Sequence, residues 1–101
     1  MALVLAVKLA VVTGLVTIGP TMPVCQAGVP CDRPAAGVTL TFTRAGRTAS
    51  VRTTAAGRFR IRLAPGLWAV RADAGRALAP HAIRVRAPAE KLSFAIDTGI
   101  R

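Results

Sequence analysis

The sequence predicts an all-β fold, a single antiparallel β-sandwich of seven strands. Beyond residue 36, apolar and polar residues alternate with a period of two, which is typical of strands with one buried face. Turn-forming Gly and Pro residues separate these stretches at intervals of about 8–12 residues, and no segment after residue 13 has a helical period. The chain has 101 residues, enough for one domain with one core.

The N-terminal third of the chain divides into three predicted parts. Residues 1–13 are assigned to a hydrophobic N-terminal segment, and residues 14–101 to the β-sandwich domain. The first strand covers residues 14–19, which are rich in β-branched side chains and end at Gly19-Pro20. Residues 20–36 are predicted to form a long loop, because their four prolines interrupt regular structure.

The other six strands follow from the alternation. They are predicted at residues 38–43, 49–53, 58–63, 68–72, 83–86 and 91–97. The clearest is 58–63, where Phe59, Ile61 and Leu63 alternate with three Arg residues. Trp68 shares the phase of Val70 and is therefore expected in the core.

The N-terminal segment has three interpretations. Residues 1–18 contain 14 residues of the hydrophobic class and one charge, Lys8. They fit an export signal whose true start lies upstream, an uncleaved membrane anchor, or an extra strand leading into residues 14–18. We favour a degraded or truncated export signal, which predicts a secreted or envelope-associated protein.

The chain carries a net charge of +10. Such a charge attracts anions: nucleic acid, anionic lipid head groups or the acidic polymers of a cell envelope. Twelve of the 14 basic residues are Arg, and the accompanying abundance of Ala, Gly and Pro points to GC-rich codon usage. Nucleic-acid binding is disfavoured, because the four aromatic residues occupy predicted core positions and leave none for base stacking.

The string GRFRIRLAPGLWAVRA, residues 57–72, has the pattern Gly-x-aromatic-x-aliphatic-x-Leu-x-Pro-Gly-x-aromatic-x-Val-x-Ala. It resembles the carboxypeptidase regulatory-like domain, a prealbumin-like (immunoglobulin-like) β-sandwich. The loop Gly-Pro-x-x-Pro-Val-Cys…Pro-Cys, together with the C-terminal Asp-Thr-Gly-Ile-Arg, resembles the small exported actinobacterial members of that group. The resemblance implies a stable module and carries over no catalytic residue. It describes a hairpin in which Pro65-Gly66 makes the reversal, while Phe59 and Trp68 point inward from adjacent strands and pack across the sheet.

Cys25 and Cys31 both lie in the proline-rich loop. Their spacing fits neither a Cys-x-x-Cys redox motif nor a four-ligand zinc site. Because the chain has no other Cys, we predict a disulfide within the loop outside the cytosol. The alternative is two free thiols in a cytosolic protein.

An enzyme is not expected from this composition. The only His, His81, has no Cys, His or carboxylate near it in sequence, and no motif would bring Ser50 or Ser93 to it. The four acidic residues are too sparse for a paired-carboxylate site or a calcium site. We therefore predict no catalytic residue, no metal and no cofactor.

The candidate site is an Arg stripe formed by Arg58, Arg60 and Arg62. Alternation places all three on one face, with Cα atoms about 6.6–7 Å apart. If Arg52 and Arg71 lie on neighbouring strands, the face becomes a basic plate suited to phosphate or carboxylate groups. The alternative is solvated charge that blocks edge-to-edge aggregation.

These observations predict a non-catalytic exported module with a structural, adhesive or accessory role at the bacterial cell envelope. The alternative is a module that binds carbohydrate or an anionic polymer through the Arg-rich face. Expected partners are a cell-wall polymer, a carbohydrate or another envelope protein, with membrane contact only through the N-terminal segment. The single Trp is expected in the core, which leaves no exposed aromatic platform for a sugar.

Overall fold

The structure, a computed structural model, describes residues 9–20, 28 and 31–99, and these residues form two β-sheets. The strands are β1 (Ala10–Gly19), β2 (Arg33–Pro34), β3 (Thr39–Arg44), β4 (Arg47–Arg52), β5 (Arg58–Leu63), β6 (Gly66–Ala72), β7 (Ala77–Ala79), β8 (Ala82–Val85) and β9 (Ala89–Asp97). The predicted all-β class is confirmed. The predicted count of seven strands is wrong, because the described residues form nine. None of them belongs to a helix that is long and apolar enough to cross a membrane.

The two additional strands are short edge strands that alternation cannot reveal. Strand β2 has two residues and lies in the predicted loop, where Pro34 pairs with Thr17 of β1. Proline is accepted there because an edge strand needs hydrogen bonds on one side only. Strand β7 has three residues and pairs with the end of β9.

Sheet A is organised around β1. On one side, β5 pairs antiparallel with the first half of β1, and β2 pairs with its second half. On the other side, β9 runs parallel to β1 from Val11 to Gly19, and β7 follows β9. The prediction of a wholly antiparallel sandwich is therefore wrong for this pair, because alternation does not reveal strand direction. Strand β1 begins at Ala10, earlier than the predicted residue 14, and both Ala10 and Val12 are fully buried.

Sheet B contains four antiparallel strands in the order β4-β3-β6-β8. Its inner side chains and those of sheet A enclose one hydrophobic core. Phe42 from sheet B lies 6.2 Å from Phe59 and 6.4 Å from Phe94 of sheet A, between ring centroids. Phe59 and Phe94 are 5.8 Å apart. The three rings thus join the sheets at spacings that favour aromatic contacts.

Thr53 is the polar residue buried at the edge of this core. The backbone N–H of Val38 donates to its Oγ1 at 2.8 Å, and that hydroxyl donates to the carbonyl of Ala35. The backbone N–H of Thr53 also donates to the Val38 carbonyl at 2.8 Å. These bonds fix the chain where it leaves the proline-rich loop and enters β3, so the buried hydroxyl is fully satisfied.

The expected hairpin between β5 and β6 is not present. Strand β5 pairs with β1 in sheet A, whereas β6 pairs with β3 and β8 in sheet B. Phe59 therefore contacts the other two Phe rings, and Trp68 is paired with Ile83 in the opposite sheet. The predicted strand phase is correct, since both aromatic residues are buried; the expectation that they lie on adjacent strands is wrong.

Side-chain hydrogen bonds hold the connection that crosses between the sheets. The Trp68 Nε1–H donates to the Ala64 carbonyl at 2.8 Å, and Arg44 Nη1 donates to the Pro65 carbonyl at 2.9 Å. Gly66 has a φ of 140°, and a Cβ at this position would lie 2.3 Å from Cζ of Arg44. The Arg44 guanidinium thus occupies the space that a side chain at residue 66 would need.

Candidate functional site: a basic face on sheet A

The structure divides the five Arg residues of the candidate plate between two sheets. Arg58, Arg60 and Arg62 are exposed on the outer side of β5, opposite the buried Phe59 and Leu63. Arg52 ends β4 and Arg71 lies in β6, so both belong to sheet B. The plate of five does not form, because the chain changes sheets after β5.

Strand β1 instead brings a different cation to the stripe. Arg60 pairs with Thr13 on β1, and Thr13 pairs on its other side with Lys91 of β9. Residues that are directly paired across a sheet point to the same face. Neighbouring strands lie about 4.7–4.9 Å apart, which places the Arg60 and Lys91 Cα atoms roughly 9–10 Å apart across Thr13.

The same pairing defines two further rows across the sheet. Arg58 aligns with Leu15 and Ser93, and Arg62 aligns with Val11 and Ala89. We call the outer surface of Arg58, Arg60, Arg62 and Lys91, with the part of β1 between them, the basic face. Over part of it lies an open groove of about 430 Å³, lined in part by Thr13, Leu15, Arg58, Lys91 and Ser93.

The described residues place no acidic partner beside the cations of the basic face. In the described part of the chain, no carboxylate forms an ion pair with any of its four cations. The acidic residues lie elsewhere: Asp32 before β2, Asp73 after β6, Glu90 on the inner side of β9, and Asp97 at the end of β9. Asp97 is six residues beyond Lys91, about 20 Å along the strand.

Lys91 could not have been assigned to the site from the sequence. Its alternation with Leu92 and Phe94 correctly predicts an outward side chain. Alternation does not reveal which strands are neighbours, however, and β5 and β9 touch the same central strand from positions about 30 residues apart in the chain. Residues 10–13, which the predicted domain boundary assigns to the N-terminal segment, belong to β1 and place Thr13 between Arg60 and Lys91.

The other residues considered as candidate catalytic residues from the sequence lie in separate parts of the structure. Ser93 lies on the outer side of sheet A and Ser50 on the outer side of sheet B, whereas His81 is exposed in the turn between β7 and β8. Cys25 lies outside the described residues, as do residues 1–8 of the N-terminal segment. The bridge between Cys25 and Cys31 stays a prediction, and so does the export signal.

Comparisons with known proteins bear on the family resemblance. The chain matches no family model, no curated protein and no solved structure. The resemblance to the carboxypeptidase regulatory-like domain therefore rests on sequence motifs within residues 14–101, of which the 57–72 string is the most specific.

Proposed function

We propose that this chain is a non-catalytic exported module, a β-sandwich of the carboxypeptidase regulatory-like type, that adheres to an anionic polymer of the bacterial cell envelope. The observation that supports this proposal is the position of Lys91 across β1 from the three Arg residues of β5. Four cations face solvent from two strands that flank β1 in one sheet, and none has an acidic partner among the residues that the structure describes. Such a surface concentrates anions and releases counterions when a polyanion binds.

The packing beneath the basic face favours its interpretation as a binding site over its interpretation as solvated surface charge. On the inner side of β5, Phe59 and Leu63 are at most 5% exposed and Ile61 between them is half-buried. On β9, Lys91 lies between the half-buried Glu90 and Leu92. Their packing fixes the strands from which the cations project. Sites on such elements are more precise than sites on loops, so the spacing of the Cα atoms that carry the cations is set before a ligand arrives.

Sugar recognition by stacking receives no support. All four aromatic side chains of the protein are buried, including Trp68 at 4% exposure. A ligand on the basic face is held by charge and hydrogen bonds instead. This favours an acidic polymer over a neutral carbohydrate.

The buried start of β1 restricts where a signal peptide of the proposed exported protein could be cleaved. Ala10 and Val12 are fully buried in the core and belong to the central strand of sheet A. Cleavage beyond residue 9 would remove core side chains and the hydrogen bonds that β1 makes to β5 and β9. A cleavage site compatible with this fold therefore lies before Ala10.

Two triple variants test the basic face. In the first, Arg58, Arg60 and Arg62 are replaced with Gln; in the matched control, Arg52, Arg71 and Arg84 of sheet B are replaced with Gln. The two have the same net charge, and exposed substitutions cost about 0.5 kcal/mol or less each. We expect binding to polyphosphate and heparin, measured by titration at several salt concentrations, to be lost in the first and largely kept in the control.

Either of two results would contradict the proposal. Equal weakening in both variants would show that only net charge matters and that the basic face is not a site. Absence of polyanion binding by the wild-type protein at low salt would remove the adhesive role itself.

A further inference from the structure

The pairing of β6 with β8 stops before β6 ends. The paired residues run from Gly66 with Val85 to Ala69 with Ala82, and the Val70 N–H adds one bond to the His81 carbonyl at 2.9 Å. Before His81 the chain lies in β7, which pairs with β9 in sheet A. Among the described strands, the end of β6 therefore has β3 as its neighbour on one side and none on the other.

The backbone of Ala72 points toward the side of β6 that β8 leaves open. In an antiparallel pair, successive residues direct their N–H and C=O groups to opposite sides of the strand. The Val70 N–H bonds on the β8 side, to the His81 carbonyl. The Asp73 N–H bonds on the β3 side, to the Thr39 carbonyl at 3.1 Å. Both bonds place Ala72 in phase with Val70, so its N–H and C=O face away from β3, where the described residues supply no partner for either group.

An open pocket of about 390 Å³ lies beside this unpaired backbone. Its size is within the range of about 300–1,000 Å³ that is typical of ligand sites. Three exposed basic side chains and three half-buried apolar side chains contribute to its lining: Arg71, Arg76, His81, Ala72, Ala74 and Leu78. No carboxylate lines it in the described part of the chain. The pocket thus combines a backbone donor and acceptor with positive charge and an apolar wall.

The backbone of Ala72 requires a ligand that offers an acceptor and a donor together. An antiparallel partner residue supplies both, since its C=O accepts from the opposite N–H and its own N–H donates to the opposite C=O. By the register of β6 with β8, such a partner would hold the position of residue 79. Ala79 itself pairs with Ala95 in the other sheet, so it does not fill that position. A lone phosphate or acetate would satisfy the Ala72 N–H and leave its C=O unpaired.

The direction of β6 determines which end of a peptide can enter the pocket. A strand antiparallel to β6 at this place runs toward His81, whose carbonyl is bonded to Val70. A peptide that continued past Ala72 would therefore meet the chain at His81, so only its last residue fits beside Ala72. The terminal carboxylate then lies among the basic side chains of the pocket. The ammonium end of a peptide that ran in the opposite direction would be repelled by them.

We infer that this pocket binds the carboxyl-terminal end of an extended polypeptide, whose last residue pairs with Ala72 and carries an apolar side chain. Directly paired residues share a face of the sheet, so the terminal side chain lies on the inner side with Ala72. There it meets Ala74 and Leu78, which pack against the core. The pocket shares no residue with the basic face, so this inference goes beyond the proposed function and does not depend on it.

The test titrates the isotope-labelled full chain with the peptide acetyl-Ala-Ala-Val, observed by NMR. We expect saturable shifts of the amide resonances of Ala72 and His81. Conversion of the peptide's carboxylate to a primary amide should weaken binding at least about tenfold, because a charge-assisted hydrogen bond is lost. Methylation of the valine nitrogen should also weaken binding, because it removes the donor to the Ala72 C=O. Acetate and inorganic phosphate should bind more weakly than the peptide, since neither supplies that donor and the apolar contact.

Two double variants test the basic lining of the pocket. Replacing Arg71 and Arg76 with Gln should weaken binding of the free-carboxylate peptide by about two- to fivefold for each residue. The matched control replaces Arg52 and Arg84 with Gln, which changes the net charge equally at exposed positions that do not line the pocket. It should leave the affinity for the peptide unchanged.

Several results would show that the inference is wrong. Equal affinity for the free-carboxylate peptide and its amide would exclude recognition of a chain end. Equal affinity for the peptide and inorganic phosphate would show a general anion site that ignores the Ala72 C=O. Absence of shifts at Ala72 would place any binding elsewhere. The proposed function is tested separately, because the variant with Gln at positions 58, 60 and 62 should bind this peptide as the wild-type protein does.

Discussion

Two connections in this protein look alike in sequence and differ in the structure. Ala45-Gly46 connects β3 to β4, and Ala64-Pro65 connects β5 to β6, which begins at Gly66. Both connections have two residues and are flanked by alternating strands. The first closes a hairpin in which Arg44 pairs with Arg47. The second carries the chain from sheet A to sheet B.

The backbone of the first connection explains why it is a hairpin. Ala45 and Gly46 both have positive φ angles, 47° and 79°. Two consecutive left-handed residues match the twist of paired antiparallel strands, which favours a two-residue hairpin. Nothing lies within 4 Å of the position of a Cβ on Gly46, so this turn depends on its own backbone alone.

The second connection depends on residues outside it. Its carbonyls at Ala64 and Pro65 accept hydrogen bonds from Trp68 and Arg44 rather than from a strand partner. Arg44 itself stands at the end of β3, beside the β3–β4 turn. The comparison indicates that the residues of a turn determine that the chain reverses. Side chains from other elements, such as Arg44 of β3 and Trp68 of β6, hold the connection that leads the chain into the other sheet.

The largest expected effect comes from removing the indole that anchors the crossing. Trp68→Ala deletes a side chain that is 4% exposed and its bond to the Ala64 carbonyl. We expect a loss of about 3–5 kcal/mol in the free energy of unfolding, measured by urea denaturation. The neighbouring Leu67 is 58% exposed, and Leu67→Ala should cost about 0.5 kcal/mol or less. Similar losses in the two variants would show that the crossing is not anchored through Trp68.

A smaller effect is expected at Gly66. Gly66→Ala places a Cβ against the Arg44 guanidinium at a φ of 140°, and should cost about 1–3 kcal/mol of stability. In a double-mutant cycle, Arg44→Ala should relieve the steric part, so the combined loss should fall below the sum of the single losses by at least about 0.5 kcal/mol. Strict additivity would contradict the role assigned to Arg44.

The smallest effect should occur at Gly46, the corresponding glycine of the hairpin. Its positive φ disfavours a side chain, but the surrounding space is open. We expect Gly46→Ala to cost about 1 kcal/mol and, unlike Gly66→Ala, to be additive with Arg44→Ala in the same denaturation assay. A coupling energy between Gly46→Ala and Arg44→Ala as large as that between Gly66→Ala and Arg44→Ala would show that the stabilities of the two turns depend on each other.

The parts of the fold that alternation determines could be predicted. The phase of β5 and β6 follows from single-residue periodicity, and Phe59, Leu63 and Trp68 are buried as that phase requires. Which strands pair with one another could not be predicted, because a strand with one buried face has the same alternation of apolar and polar residues whichever strand it pairs with. For this reason the shared face of the three β5 Arg residues follows from the sequence, whereas Lys91 joins them only through its pairing with β1.

The parallel pairing of β1 with β9 also has a mechanical consequence. The pairing extends over nine residue pairs, from Val11 with Ala89 to Gly19 with Asp97. The chain therefore enters this ladder at one end of sheet A and leaves it at the other. Tension applied between Ala10 and Asp97 runs along the strands, across their evenly spaced, slanted hydrogen bonds, and loads those bonds together in shear instead of opening them one at a time. A module held at one end and pulled through the other would resist extension through β1 and β9, the same strands that carry part of the basic face.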